Sequence, residues 1–306
     1  MEKFSENKLH GICGNGSYQD VVAYLESCEG GAEHLAKYRE LFEGDKYVLT
    51  TGNEQIDNVL RRYEDYLKYV LANKKPTEEY KEYIVKCFNE FFPDVTDFDE
   101  FEKVFQLFFT EQGLFANFGV TAPFPTLYLW EKQTKHEIEV ELPETTVTMN
   151  VYEMDGIVTH GWYDYLTFGV VGAGGWVDDD GCYYFAEKYD TDSEDFKVSL
   201  LKHEGQHFHD LSVDPDMPSV DLEYRAKLVE LVYLQEQATF NSFLNNIGDD
   251  LNYPHSYANK RIVAELSQRI FNEELVTDKE RWSAEYEKVS GIARQLLEAD
   301  TASRNS

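Results

Sequence analysis

Leu200-Leu201-Lys202-His203-Glu204-Gly205-Gln206-His207-Phe208-His209-Asp210-Leu211 is the segment around which this chain is organised. His203 and His207 are four residues apart, so on an α-helix they stand one above the other on the same face. Two imidazoles on adjacent turns can share one Zn²⁺ at the roughly 2.0–2.1 Å nitrogen distance that zinc prefers. Glu204, one step round the helix from His203, then projects beside the ion rather than onto it, where a carboxylate can deprotonate a zinc-activated water. This is the His-Glu-x-x-His pattern. Its approach also reads as a helix. Thr191 or Ser193 can cap it ahead of Glu194 and Asp195, and Phe196, Leu200, His203, His207 and Asp210 fall along one stripe.

A hydrolytic zinc site needs a third protein ligand and an open fourth position. The metzincin spacing, with a third histidine on the same segment, is excluded because position 210 is Asp and position 213 is Val. A glutamate from the following helix is the alternative, with Glu223, Glu230 and Glu236 as candidates. Pro215 and Pro218 shape the connection, and Ser219 or Asp221 can cap the next helix, which puts Glu223 on its first turn. Glu230 lies two turns further along the same face, as a ligand or as a residue that supports one. Asp210, three residues after His207, can hydrogen-bond a ligand imidazole, although helix capping or solvation would explain it equally well. His209 points to the other side of the helix. Tyr224, Arg225, Tyr233, His160 and His255 are the possible donors to an oxyanion, and their order is open.

Taken together these residues resemble the gluzincin group of zinc metallopeptidases, the thermolysin-like architecture with two histidines from His-Glu-x-x-His and one downstream Glu. The resemblance runs from Thr159 to Glu236. It implies a zincin-like catalytic domain, in which a small antiparallel or mixed sheet precedes the active-site helices. It also implies that His203, His207 and Glu223 are the zinc ligands and Glu204 the general base. In such enzymes an edge strand that binds substrate backbone and an antiparallel strand come before the zinc helix. Residues 166–177 and 182–186, joined by an Asp180-Gly181 turn, stand in those places. Glu223-Tyr224-Arg225-Ala226 resembles the Glu-x-x-Ala helices that carry the third ligand, and the connection to it is shorter than in thermolysin.

The rest of the chain gives an α+β class. Residues 17–115 are mostly helical: apolar positions recur at three and four between Ile56 and Leu71, Lys74-Lys75-Pro76 breaks the run, and further helices are expected from Thr77 and over 98–109. From Val120 the texture alternates, with strands expected over 138–142 and 146–152. The glycine-rich run 166–177 is expected as a strand. Gly172-Ala173-Gly174-Gly175 lacks the Lys-Ser/Thr of a phosphate cradle and is not followed by a helix. Asp178–Asp180 and Asp190-x-Asp192 lack the glycine and final Glu of an EF-hand and read as turns and caps. Helices are then expected over 193–211, 219–246, 255–271 and 278–299. The domain reading is a mainly helical region 1–119 and a catalytic domain 120–306, with sheet 120–190 and C-terminal helices 255–300.

With 58 acidic against 28 basic side chains, the formal charge is −30. That argues against nucleic-acid and anionic-membrane partners, which need basic surfaces, and favours a peptide or protein substrate of cationic character. Four dispersed cysteines form no zinc ribbon and no disulfide framework. The start has no signal-peptide core, so a cytoplasmic protein is expected if Met1 is the native start, and a secreted one if a leader was removed. The leading expectation is a Zn²⁺-dependent peptidase. Two others stay open: a non-catalytic zinc-containing domain that binds peptides or regulates a partner, and a zinc hydrolase acting on a non-peptide amide.

Overall fold

The structure is a computed structural model that describes residues 2–178, 180–251 and 253–304. Caps and apolar spacing account for its first helices. A two-residue strand β1 (Glu2–Lys3) leads to α1 (Glu6–Cys13) and α2 (Tyr18–Ser27), where the Ser5 and Ser17 hydroxyls accept the Lys8 and Asp20 amides. β2 (Cys28–Glu29) pairs parallel with β1 and precedes α3 (Ala32–Glu43). Asn53 caps α4 (Glu54–Ala72), whose Ile56, Val59, Leu60, Tyr63, Leu67, Val70 and Leu71 are buried at helical spacing. Pro76 precedes α5 (Thr77–Cys87), and the Asp97 carboxylate starts α6 (Phe98–Glu111) by accepting the Glu100 amide.

The chain then turns to sheet. β3 (Phe115–Thr121) pairs antiparallel with β4 (Phe124–Glu141), and a tight turn closed by the Leu142 amide on the Thr145 carbonyl leads to β5 (Thr146–His160). A short helix α7 (Trp162–Leu166) intervenes before the hairpin β6 (Gly175–Asp178) and β7 (Gly181–Phe185). The five strands are ordered β3-β4-β5-β7-β6, so β6 is an edge. The fold is therefore mixed α and β. Residues 166–177, expected as one strand, are extended only from Gly175. Phe168 and Gly169 take left-handed backbone, and the Thr167 hydroxyl bonds the Tyr163 and Val171 carbonyls and accepts the Val171 amide, which holds a compact turn instead.

After β7, π-helical turns (Asp195–Leu200) run into α8 (Leu201–Val213). The expected helix over 219–246 is two helices, α9 (Ser219–Tyr233) and α10 (Gln237–Asn245), with the Glu194 carboxylate accepting the Gln235 and Glu236 amides at the break. α11 (Pro254–Phe271) follows. The last expected helix is also interrupted, into α12 (Lys279–Glu285) and α13 (Val289–Arg304). No described helix is long and apolar enough to cross a membrane.

Two compact units share the chain. One comprises the residues up to Gln133 with Met154–Ala173; the other comprises Thr134–Glu153 with the residues from Gly174 onward. β4 and β5 thus contribute to both, and the boundary expected at 119/120 falls inside β3. The first unit is cored by aromatic side chains, including Tyr63, Phe88, Phe101, Phe105 and Phe118. Within it Glu64 is fully buried and accepts hydrogen bonds from the Val48 and Leu49 amides and the Tyr165 hydroxyl, at 2.9, 2.7 and 3.0 Å. Burial raises its pKa, against the pull of those bonds. The second unit is cored by Val140, Leu142, Met149 and Val151 of the sheet against Leu228, Ile262, Leu266 and Trp282 of the helices.

Because one carboxylate satisfies three donors at once, Glu64→Ala is expected to destabilise the protein by at least about 2 kcal/mol. Urea unfolding followed by far-UV circular dichroism measures this; an unchanged midpoint would contradict the role.

Candidate metal centre

α8 carries His203, Glu204 and His207, and α9 packs along it. Gly205 makes the close approach of α8 to the sheet possible: a Cβ there would lie 3.1 Å from Val140 Cγ1. The stripe expected on the helix is buried throughout, with Phe196, Leu200, His203, His207 and Asp210 all under a tenth exposed. The two imidazoles meet edge to face, with ring centroids 4.6 Å apart and the planes at 86°.

Glu223 on α9 completes a cluster. His203 Nε2 and His207 Nε2 are 3.0 Å apart, Glu223 Oε1 lies 3.4 Å from His207 Nε2, and Glu223 Oε2 lies 3.6 Å from His203 Nε2. Ligands at zinc's usual distance stand about 3.3–3.4 Å apart along a tetrahedral edge. The imidazole nitrogens stand closer than that, and the two Glu223 contacts, one through each carboxylate oxygen, are at or just beyond it. Among the described residues this is the one group of three or more His, Cys, Asp and Glu side chains so arranged.

The surroundings are buried and strongly charged. Glu223 Oε2 is buried with no hydrogen bond, although His255 Nδ1 is 2.8 Å away, and His207 Nδ1 is likewise buried without a partner. A buried carboxylate oxygen left in that state is costly unless positive charge faces it. Burial opposes charge on His203, but the carboxylates of Glu223 and Glu230 outweigh it and push its pKa up to about 10. Burial would raise Glu223, but His203, His207 and His255 outweigh that and hold its carboxyl far below the usual range. A metal entering here displaces the imidazole proton, since only neutral imidazole ligates. On donor set, spacing and charge, the residues present fit Zn²⁺.

Glu230 has a definite place. Its Oε1 lies 2.6 Å from His203 Nδ1, the nitrogen opposite the one that faces Glu223. Glu223 and Glu230 are two turns apart on α9 and hold one imidazole from both sides. As the Nδ1–H acceptor, Glu230 fixes the tautomer in which Nε2 keeps its lone pair for a ligand. Glu204 is partly exposed and makes no hydrogen bond or ion pair with the described residues.

Other expected residues are placed elsewhere. Asp210 does not reach an imidazole. It accepts Gln206 Nε2 and Arg225 Nε at 2.8 Å each, while Arg225 Nη1 donates to Asp300 at 2.9 Å and to Thr301 at 3.0 Å. Arg225, considered as an oxyanion donor, is therefore a buried tie between α8, α9 and α13. Its guanidinium is the strongest donor within Asp210's reach, which is why the carboxylate turns away from His207. Tyr224 is buried with its hydroxyl on Glu265 at 2.7 Å and its ring under the Arg261 guanidinium at 3.5 Å. Glu236 is exposed at the start of α10, away from the cluster as a ligand. His255, only one of several donor candidates in sequence, stands beside Glu223 with most of its side chain exposed. Asp300, Thr301 and Gln206 had no sequence signal for their roles, which depend on which helices pack together.

Comparison with protein-family models, with curated proteins and with solved structures finds no match to this chain.

If Glu230 orients His203, Glu230→Gln should weaken zinc binding about 10-fold or more while the protein stays folded. Competition with a chromophoric chelator reads this, and an unaltered affinity would contradict the assignment.

Proposed function

We propose that this protein is a zinc-dependent metallopeptidase with a zincin-like catalytic unit of the gluzincin kind. The observation that carries the reading is the buried convergence of His203 Nε2, His207 Nε2 and the Glu223 carboxylate, with contacts of 3.0–3.6 Å. His203, His207 and Glu223 would hold the ion. Zinc bound there supplies a Lewis acid that polarises a carbonyl and makes water a nucleophile near neutral pH.

The remaining roles belong to the chain. Glu230 keeps His203 in the ligating tautomer. Glu204, next to His203 in sequence and without a side-chain hydrogen bond or ion pair among the described residues, takes the proton from the attacking water and returns it to the leaving nitrogen. That carboxylate favours a hydrolase over a domain that only binds, because a binding site has no use for a base at this position. The edge position of β6 supports a peptide over a small amide, since an extended backbone can add to an edge as a further strand. The acidic composition, 58 against 28, favours a cationic substrate over nucleic acid.

Metal analysis and a peptide library test the proposal together. Wild-type protein should carry one zinc per chain and cleave; His203→Ala and Glu223→Ala should lose the metal. Glu204→Gln should keep the metal and lose about 10²–10⁴-fold in rate, the range for a general base. Absence of zinc from the wild type, or full activity in Glu204→Gln, would overturn it.

A further inference from the structure

The first unit has a cavity of about 190 Å³, lined by α1, α3 and the turn that follows α7. Glu6, Leu9 and His10 face it from α1, and His34, Lys37 and Tyr38 face it from α3. Each triplet is spaced by three and four residues, which puts its members on one side of its helix. α2 packs against both helices and holds them in one frame.

The floor is apolar. Leu9 and Tyr38 are buried, and the Tyr38 hydroxyl donates to the Leu166 carbonyl at 2.8 Å. The Phe168 ring meets Tyr38 edge to face, with centroids 4.8 Å apart, and Val170 completes the wall. Phe168 is 45% exposed, yet it takes φ +54°, a left-handed conformation that is costly for a residue with a Cβ. The Thr167 hydroxyl keeps it there through the Tyr163 and Val171 carbonyls. Core packing does not account for a bulky ring that is nearly half exposed at a position suited to glycine. Walling a ligand cavity does.

The rim carries both signs of charge. The Glu6 carboxylate and the ring nitrogens of His10 and His34 make no hydrogen bond or ion pair with the described residues. Stacking on Phe4, with centroids 4.2 Å apart, fixes the His34 ring. Lys37 pairs with Glu33 at 3.4 Å, but the two side chains are 58% and 81% exposed, so that pair is weak and yields readily to another partner. A carboxylate can accept from an ammonium group, while Lys37 and the imidazoles can donate to a carboxylate. The complement of such a rim above an apolar floor is a zwitterion with an apolar side chain. An apolar cavity of about 150 Å³ takes one benzene ring. The larger space here suits one aromatic or branched aliphatic side chain, with its charged groups left at the rim.

We propose that this cavity binds a free α-amino acid with an apolar side chain of the size of leucine or phenylalanine. Its ammonium group faces Glu6, and its carboxylate faces Lys37 and the imidazoles. The site does not depend on the peptidase reading.

Saturation-transfer NMR on the full-length protein, with titration for affinity, tests this with phenylalanine, leucine, phenylalaninol, 3-phenylpropionate and glycine. Phenylalanine and leucine should bind. Phenylalaninol, which lacks the carboxylate, and 3-phenylpropionate, which lacks the ammonium group, should each bind about fivefold more weakly, the upper end for an ion pair open to solvent. Glycine, without a side chain, should not bind. Glu6→Gln should weaken phenylalanine about fivefold and leave 3-phenylpropionate no weaker, and Lys37→Gln should weaken phenylalanine and leave phenylalaninol no weaker. Structural damage would instead weaken both members of each pair. Phe168→Gly suits the left-handed backbone, so the fold should hold while phenylalanine and leucine both bind less well. Silence with phenylalanine and leucine at millimolar concentration would overturn the site. So would affinity that ignores the loss of either charged group, or a Glu6→Gln variant that weakens 3-phenylpropionate as much as phenylalanine.

Discussion

Two imidazole nitrogens and a carboxylate converge within 3.0–3.6 Å in the interior between α8 and α9, and much of the second unit is arranged around that constraint. In a low-dielectric setting such a cluster persists only if positive charge is supplied, by a proton or by a metal ion. Two carboxylates flank His203 and push its pKa up against burial. Were a metal held there as proposed, Glu223 would face it while Glu230, 2.6 Å from His203 Nδ1, would hold the ring. Glu223 Oε2, 2.8 Å from His255 Nδ1 and 3.6 Å from His203 Nε2, is the oxygen on which that positive charge bears.

Keeping those groups in register is the task of apolar packing and of one buried ion-pair network. Gly205 lets α8 approach Val140, and the Asp210–Arg225–Asp300 tie fastens α8 to α9 and to the last helix. Burial works against the Arg225 charge, but Asp210 and Asp300 outweigh it and raise its pKa. A buried network of this sort adds little net stability, since desolvation offsets much of the attraction. Its value is orientation, because a small slip of α9 relative to α8 would part Glu223 from the histidines. Glu204 is exempt from all of these ties.

The legible and illegible parts of the chain divide along a physical line. His203 and His207 could be read because their relation is set by helix geometry over four residues. Glu223 and Glu230 were readable as candidates because seven residues is two turns of one helix. What separates their roles is the rotation of α9 against α8, which no local pattern carries. Asp210 follows the same rule: its sequence allowed a ligand imidazole, capping or solvation, and packing supplied Arg225. Likewise the mixed α and β class followed from periodicity. The run 166–177 did not, because its glycines permit a left-handed turn at Phe168 and Gly169 as readily as a strand. The helix expected over 219–246 broke at Leu234 because Glu194, distant in sequence, captures the Gln235 and Glu236 amides.

X-ray absorption at the zinc edge of the metal-loaded protein tests the central claim most directly. The account expects two imidazole nitrogens at about 2.0–2.1 Å and carboxylate and solvent oxygen at about 2.0–2.2 Å, with the imidazole signal halved in His207→Ala. A shell of sulfur at about 2.3 Å, or a spectrum without imidazole that the substitution leaves unchanged, would place the metal elsewhere and contradict it.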